Sequence, residues 1–310
     1  MSCSIDIVIV NWNAGGRLRG CLQSIAEADS SGFKLDNVIV VDNASSDGST
    51  QNLENINLPL QVIRNSKNIG FAGACNQGAE NSKTDYLLFL NPDTRLFPDS
   101  LSIPLSFMEL AENAGIGICG IKLVDEVGQP TTSCARFPTA GVLFGKITGL
   151  SRILPSYFKD HLMTANESSR SGVVDQVIGA FFLVRSELYF KLNGFDERYF
   201  VYFEEVDFSL RAKKSGFVSY LLTETSALHA GGACSVQAGS NRLFYYLRSR
   251  ILYGMKNFTL SENIVLFFLT LVIEPIARLF SSLRKGSIKA VRDDFAAYGK
   301  LLGFLVIQSR

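Results

Sequence analysis

Three apolar runs, each ending abruptly on polar residues, limit what this chain can fold into. "IDIVIV" runs into Asn11-Trp12-Asn13, "NVIVV" into Asp42-Asn43, and "DYLLFL" into Asn91-Pro92-Asp93. Runs of this length without polar alternation suit strands buried on both faces, the environment of a parallel sheet covered by helices. Helical spacing lies between them: Leu18, Leu22 and Ile25 recur on one side of "RLRGCLQSIAEA", and "AGACNQGAENS" precedes the third run. With a further strand signal in "LQVIRN", this order predicts an α/β fold, a mostly parallel sheet flanked by helices.

Later segments extend the pattern. "GICGIKLVD" (117–125) and "QVIGAFFLVR" (176–185) read as strands, whereas 126–175 is rich in Gly, Pro, Ser and Thr and reads as a loop-rich insertion. "EEVDFSLRAKKSGF" has a helical outline with acids first, Lys213 and Lys214 late, and Gly216 as terminator. From about Asn241 the texture turns to long, basic, aromatic helical patterns. The division expected is an α/β domain over 1–240, with halves at 1–120 and 121–240, and a helical extension over 241–310.

Ligands of parallel α/β sheets gather beyond the carboxyl ends of the strands, where loops and helix N-termini offer free N–H groups. Asp42 stands at such an end. "DNASSDGST" reads either as a turn and helix cap or as an acceptor for a base N–H or ribose hydroxyl, and both can hold. Pro92 stops the third strand, so Asp93 enters a loop as a turn residue or as a carboxylate for a divalent cation. Glu204, Glu205 and Asp207 open a helix, where the macrodipole favours acids, and Asp207 and Arg211 are spaced for an i,i+4 pair. Tyr199, Phe200, Tyr202 and Phe203 crowd the same segment, and apolar surroundings raise a carboxyl pKa towards that of a general base. His229, one of two histidines, precedes Gly231-Gly232 and is either structural or a metal ligand.

Charge excludes some classes. The net charge of +1 argues against a general nucleic-acid binder, yet residues 241–310 carry about +7 and the rest about −6. The six cysteines (Cys3, Cys21, Cys75, Cys119, Cys134, Cys234) form no C-x-x-C pair and are expected to be buried thiols. Ser-Cys-Ser-Ile-Asp at the N-terminus offers no basic signal-peptide region, so a cytoplasmic location is expected. "NWNAGG" lacks the G-x-G-x-x-G turn of a dinucleotide-dependent oxidoreductase, and "GVLFGKIT" has Ile147 where a P-loop needs Ser or Thr.

Taken in order, "VIVNWN", "VVDNASSDGS", "NIGFAGACNQG", "LLFLNPDT", "VIGAFFLVR", the segment from Gly194 to Gly216, and "ALHAGG" resemble the family-two inverting glycosyltransferases of GT-A fold, in particular the bacterial rhamnosyltransferase-like branch. The resemblance spans residues 4–235. It implies that Val10 and Trp12 flank a nucleotide base, that Asp42 holds base or ribose, and that Gly70 lets backbone approach a nucleotide-sugar. Asp93 would be the last Asp of the Asp-x-Asp metal motif, with the neutral Asn91 in the first place, and His229 a second ligand for Mg²⁺ or Mn²⁺. The base would be Glu205, with Glu204 the other claimant. The implied reaction moves a sugar, rhamnose from dTDP-rhamnose, to a saccharide or lipid-linked saccharide during surface polysaccharide assembly, O-antigen included. Two alternatives are a non-catalytic nucleotide-sugar scaffold and a transferase using a UDP-hexose.

The tail has two readings. Its apolar run, Ile264 to Ile273, is expected to end at Pro275 and to be too short to span a bilayer. It is either a core helix or a peripheral membrane contact through 262–292, with Arg278, Arg284, Lys285, Lys289 and Arg292 near anionic headgroups.

Overall fold

The computed structural model describes residues 3–231, 240–284 and 286–308; Gly232, Cys234 and Lys285 lie outside the described residues. In chain order the elements are β1 (Cys3–Asn11), α1 (Gly16–Glu27), β2 (Phe33–Asp42), β3 (Leu60–Arg64), α2 (Phe71–Ala79), β4 (Tyr86–Leu90), β5 (Thr94–Leu96), α3 (Ser102–Glu109), β6 (Ile116–Val124) and β7 (Cys134–Ala135). They continue with α4 (Ala140–Thr148), α5 (Leu150–Ile153), β8 (Gly172–Val174), β9 (Gln176–Val177), β10 (Phe181–Arg185), α6 (Ser186–Lys191), α7 (Glu204–Lys214), β11 (Val218–His229) and α8 (Ser240–Asn257). The last two are α9 (Leu260–Arg284) and α10 (Ile288–Gln308).

The chain divides into two compact units. One comprises Met1–Arg136, Leu162–Glu197 and Glu204–Cys234; the other comprises Phe137–His161, Arg198–Phe203 and Ser235–Arg310. The helical unit therefore includes, besides the extension, two pieces that a boundary at 240 assigns to the α/β domain.

The first unit is built on a sheet of order β3-β2-β1-β4-β10-β6-β11-β5, with β8 pairing β11. β3, β2, β1 and β4 run parallel, in a register that sets Asn11 opposite Asp42. Beyond β4 the sheet is mixed: β10 lies antiparallel between β4 and β6, and β5 and β8 run against β11. A strand buried on both faces carries the same apolar run whichever way its neighbours point, so the pattern alone does not reveal this. Alternation along β1 then separates two cores. Ile5, Ile7 and Ile9 pack with Leu18, Leu22 and Ile25 of α1 on one side, while Val8 and Val10 pack with Ala72, Cys75 and Phe208 on the other. Helix α2 reaches its side of the sheet because Gly78 has no side chain; a Cβ there would stand 2.5 Å from a Val8 methyl.

No helix follows Asp42, contrary to the capping expectation. Residues 43–59 form turns, because the Ser and Asp side chains bond to the loop after β1 and to each other instead of to helical N–H groups. The five described cysteines are buried free thiols. The stretch 126–175 is more ordered than its composition suggests, holding β7, α4, α5 and β8.

In the second unit α8 and α10 bury Leu247, Ile251 and Leu301 together. Thr259 and Glu262 close a capping box at the start of α9. That helix does not stop at Pro275: a π turn over Leu269–Ile273 widens the backbone just before it, and the missing proline N–H is absorbed there. The expectation of a run too short to span is thus overturned, since α9 has 25 residues and is long and apolar enough by length and composition to cross a membrane. Only 22% of its apolar window is buried, so it is not an ordinary core helix.

One face of α9 carries charge inward. Arg250 of α8 is 2% exposed and donates to Thr270 Oγ1 at 2.8 Å and Glu274 Oε2 at 2.5 Å, and Arg278 holds the other carboxylate oxygen. Burial alone would raise the pKa of Glu274, but the two guanidiniums outweigh it and hold the carboxyl below its usual range. Arg250→Ala leaves Glu274 to Arg278 alone and should lower stability by up to about 3 kcal/mol. Because a depressed carboxyl pKa contributes stability above the unfolded value and loses it as pH falls, the difference between wild type and variant in urea melts should shrink below about pH 4.

Candidate active site

The carboxyl ends of β1 and β2 meet in a buried polar knot. Asn11, fully buried, aims its amide nitrogen at Asp42 Oδ1 (2.9 Å), Ser45 Oγ (3.0 Å) and Ser49 Oγ (2.8 Å), so two N–H groups serve three acceptors. Its carbonyl oxygen has no hydrogen-bond partner among the described residues. The loop after β1 is tied to the same segment: Asn13 N–H donates to Ser45 Oγ, Ser46 N–H to Asn13 Oδ1, and Gly15 N–H to Asp47 Oδ2. Asn43 extends the knot by donating to the Gly70 carbonyl at 2.9 Å. Gly70 sits at φ 89, a conformation that favours glycine, and opens α2. Beside the knot lies a cavity of about 550 Å³, lined by Asp42, Ser45, Ser46, Gly48, Thr50 and Arg64 among others. That volume suits a small-molecule ligand. Trp12 is half-buried on the adjoining loop, and Val10 packs in the apolar layer one residue below Asn11.

A second corner forms where β4 ends. Asn91 and Pro92 lead to Asp93, 7% exposed, and β5 begins at once with Thr94. β5 pairs with the end of β11, which sets His229 opposite Thr94. His229 Nε2 stands 3.5 Å from Asp93 Oδ1. An imidazole and a carboxylate are donors of the right type for a divalent cation, whose remaining positions could be filled by diphosphate oxygens and water. Among the described residues no group of three or more His, Cys, Asp or Glu side chains is placed to hold a metal. Next to Asp93 a cavity of about 250 Å³ is lined also by Arg17, Arg95 and Glu126, none of which stands in a motif that marks it in the sequence.

The third component is the acid pair at the start of α7. The chain arrives through Tyr202 and Phe203, both left-handed at φ 68 and 72, where bulky residues are strained. Glu204 is 5% exposed, and one oxygen of each acid, Oε2, is buried and has no hydrogen-bond partner among the described residues. Burial pushes Glu204 well above the usual carboxyl range, and the neighbouring Glu205 charge pushes it further. Burial also raises Glu205, although backbone N–H groups oppose the shift. Burial and their mutual repulsion therefore disfavour a charge on both acids at once. Asp207 is otherwise engaged, accepting from Arg211 Nε at 2.7 Å while the same guanidinium holds the carbonyls of Leu192 and Gly194.

Gly179 and Ala180 connect the last two components. The Ala180 carbonyl accepts from Asn91 N–H at 3.1 Å, and the space a Gly179 Cβ would fill lies 3.9 Å from the Glu205 carboxyl. Asn91, Asp93 and His229 thus share one end of the sheet with Glu205, while Asp42 and Gly70 belong to the knot. Asn11, Asn43 and Ser45, which join that knot, could have been suspected only from their place at strand ends.

Residues 6–152 match the family model described as Glycosyl transferase family 2. The chain is 25% identical over 245 residues, 74% of its length and 76% of the relative's, to N-acetylglucosaminyl-diphospho-decaprenol L-rhamnosyltransferase of Mycobacterium tuberculosis. It is 29% identical to rhamnosyltransferase WbbL of Escherichia coli over 183 residues, 58% of this chain and 65% of that one. Among solved structures it resembles a mannosyltransferase of Pyrobaculum calidifontis in complex with GDP-Man and Mn²⁺, at a TM-score of 0.57 and 15% identity, covering 98% of this chain and 81% of that one. S. aureus TarS 1–349 in complex with UDP-GlcNAc aligns at a TM-score of 0.52 and 15% identity, covering 96% and 92%.

A carboxyl whose folded pKa is raised favours the folded state most below its unfolded value, near 4.3, and loses that advantage as pH rises towards the folded value. Glu204→Gln removes the loss. The variant should be more stable than wild type at pH 7 and indistinguishable near pH 4, as read from urea unfolding at the two pH values.

Proposed function

We infer the reaction from one premise: this chain belongs to glycosyl transferase family 2 and is a glycosyltransferase of GT-A fold. The reaction we propose is transfer of rhamnose from dTDP-rhamnose to a hydroxyl of a lipid-linked saccharide, with inversion at the anomeric carbon, in surface polysaccharide assembly. The donor follows the two rhamnosyltransferase relatives, and the acceptor class follows the diphospho-decaprenol carrier named for the mycobacterial one. In this reading the enzyme is cytoplasmic and peripheral to the inner face of the membrane.

The observation that carries the proposal is the acid pair, with its orphaned oxygens, standing by Gly179 at the sheet end that also bears Asp93 and His229. Glu205 takes the proton of the acceptor hydroxyl as that oxygen bonds to the anomeric carbon, and the bond from that carbon to the diphosphate oxygen breaks with its electron pair leaving on the nucleotide. Asp42 accepts from base or ribose, Trp12 and Val10 border the base, and Gly70 admits the donor close to backbone. Asp93 and His229 would hold a Mg²⁺ or Mn²⁺ ion, which when bound supplies positive charge to the departing diphosphate. Asn91 adds a hydrogen-bonding amide where a second carboxylate would have added charge.

Calorimetric titration and turnover with dTDP-rhamnose test this, with UDP-glucose and UDP-GlcNAc as competitors and each with and without Mn²⁺. Wild type should bind dTDP-rhamnose, more tightly with metal, and Glu205→Gln should retain that binding while turnover falls by about 10²- to 10⁴-fold. Asp93→Ala should lose the metal-dependent part of binding. Normal turnover in Glu205→Gln sinks the base assignment; preference for a UDP donor replaces rhamnose with a hexose.

A further inference from the structure

Along α9, Leu260, Ile264, Phe268, Val272, Ile276 and Phe280 recur every fourth residue and are 42–79% exposed. Residues four apart are neighbours, each about 40° further round the helix, so these six form a continuous apolar ridge that winds along its outer side. On α10, Ile288, Phe295 and Leu302 recur every seventh residue and are 85%, 67% and 53% exposed. The two rows meet at one groove of about 460 Å³, where Ile276 from the first and Phe295 and Leu302 from the second are joined by Leu271, Leu279 and Asp294. An exposed apolar surface this extensive marks a binding face.

Charge and packing identify the occupant. The opposite face of α9 is committed: Leu266 and Leu269 are buried, and Thr270 and Glu274 bond the buried Arg250. A spanning helix would have to carry that ion pair across hydrocarbon, whereas a helix lying in the interface keeps it inside protein. Arg284, Lys289, Arg292 and Lys300 are exposed on the same two helices, and residues 241–310 carry about +7. Two copies joined through this face would oppose two such cationic surfaces, while an anionic lipid surface would attract one.

We propose that α9 and α10 form an in-plane seat for an anionic phospholipid monolayer, with the groove between them taking up one acyl chain. The use of the seat, presenting the enzyme to a lipid-linked acceptor, rests on the transferase reading; its existence does not.

Cosedimentation of the full chain with phosphatidylcholine vesicles, with and without phosphatidylglycerol, tests the seat. The chain should pellet with the anionic vesicles, and high salt should weaken binding about tenfold or more. Replacing Phe268, Phe280 and Phe295 by Ser removes three exposed rings and should weaken it at least about a hundredfold, with thermal unfolding and dTDP-rhamnose binding unchanged. For the groove, Phe295→Trp fluorescence should be quenched by phosphatidylglycerol brominated on its acyl chains. The seat is overturned if the chain stays in the supernatant with both vesicles, if the triple variant still pellets, or if light scattering finds a dimer that the triple substitution dissociates. An unquenched Trp that still pellets overturns the groove. Vesicle binding without sugar transfer refutes the transferase reading and leaves the seat; transfer without vesicle binding does the reverse.

Discussion

The site depends on the register of β1 against β2. With Asn11 opposite Asp42, a buried amide can hold the Asp42 carboxylate and two serine hydroxyls of the following turn at once. A slip of one residue would turn Asn11 towards the other face of the sheet and put an apolar side chain against the carboxylate. The apolar layers prevent the slip, since Ile5, Ile7 and Ile9 belong to one core and Val8 and Val10 to the other. Hydrophobic alternation therefore sets the geometry of a polar site that contributes little to stability itself. The knot in turn replaces the helix that usually returns a chain after such a strand, leaving 43–59 as turns bordering an open cavity.

Charge is distributed with the same economy. The knot carries Asp42, the corner after β4 carries Asp93, and α7 opens with Glu204 and Glu205, where burial disfavours two charges at once. Asn91 is neutral where a carboxylate would add a further negative charge. The exposed Arg17 and Arg95 border the cavity beside Asp93, so the corner is less acidic than its motif residues alone indicate. Such a site suits a ligand that brings its own negative charges.

What could be read beforehand follows from which signals are local. Strands β1, β2 and β4, helices α1 and α7, and the polar strand ends are stretches whose apolar spacing and terminators lie within a dozen residues. Asp42, Asp93 and Glu205 could be singled out because each lies within three residues of the end or start of such an element. The antiparallel insertion of β10 was not, because Phe181 to Arg185 has the same doubly buried composition as a parallel strand. Nor were Gly179 and Ala180, whose importance arises from contacts with Glu205 and Asn91, far away in sequence. The expected helix after Asp42 failed because capping residues bond equally well to a neighbouring loop. The expected stop at Pro275 failed because a π turn accommodates the ring.

That continuous helix raises a question of rotation. A helix of 25 residues with apolar side chains on nearly every face could pack against α8 and α10 in several orientations of similar hydrophobic energy. Arg250, Thr270 and Glu274 break the degeneracy, because any other rotation buries a guanidinium without its carboxylate at a penalty of several kcal/mol. Desolvation makes such an ion pair a poor source of net stability, but the same penalty makes it effective at excluding wrong orientations. With the rotation set, the row from Leu260 to Phe280 is the face left outside, and Arg284, Lys289 and Arg292 follow it at the end of α9 and on α10. The charge buried on one side of the helix is thus what determines the apolar surface presented on the other.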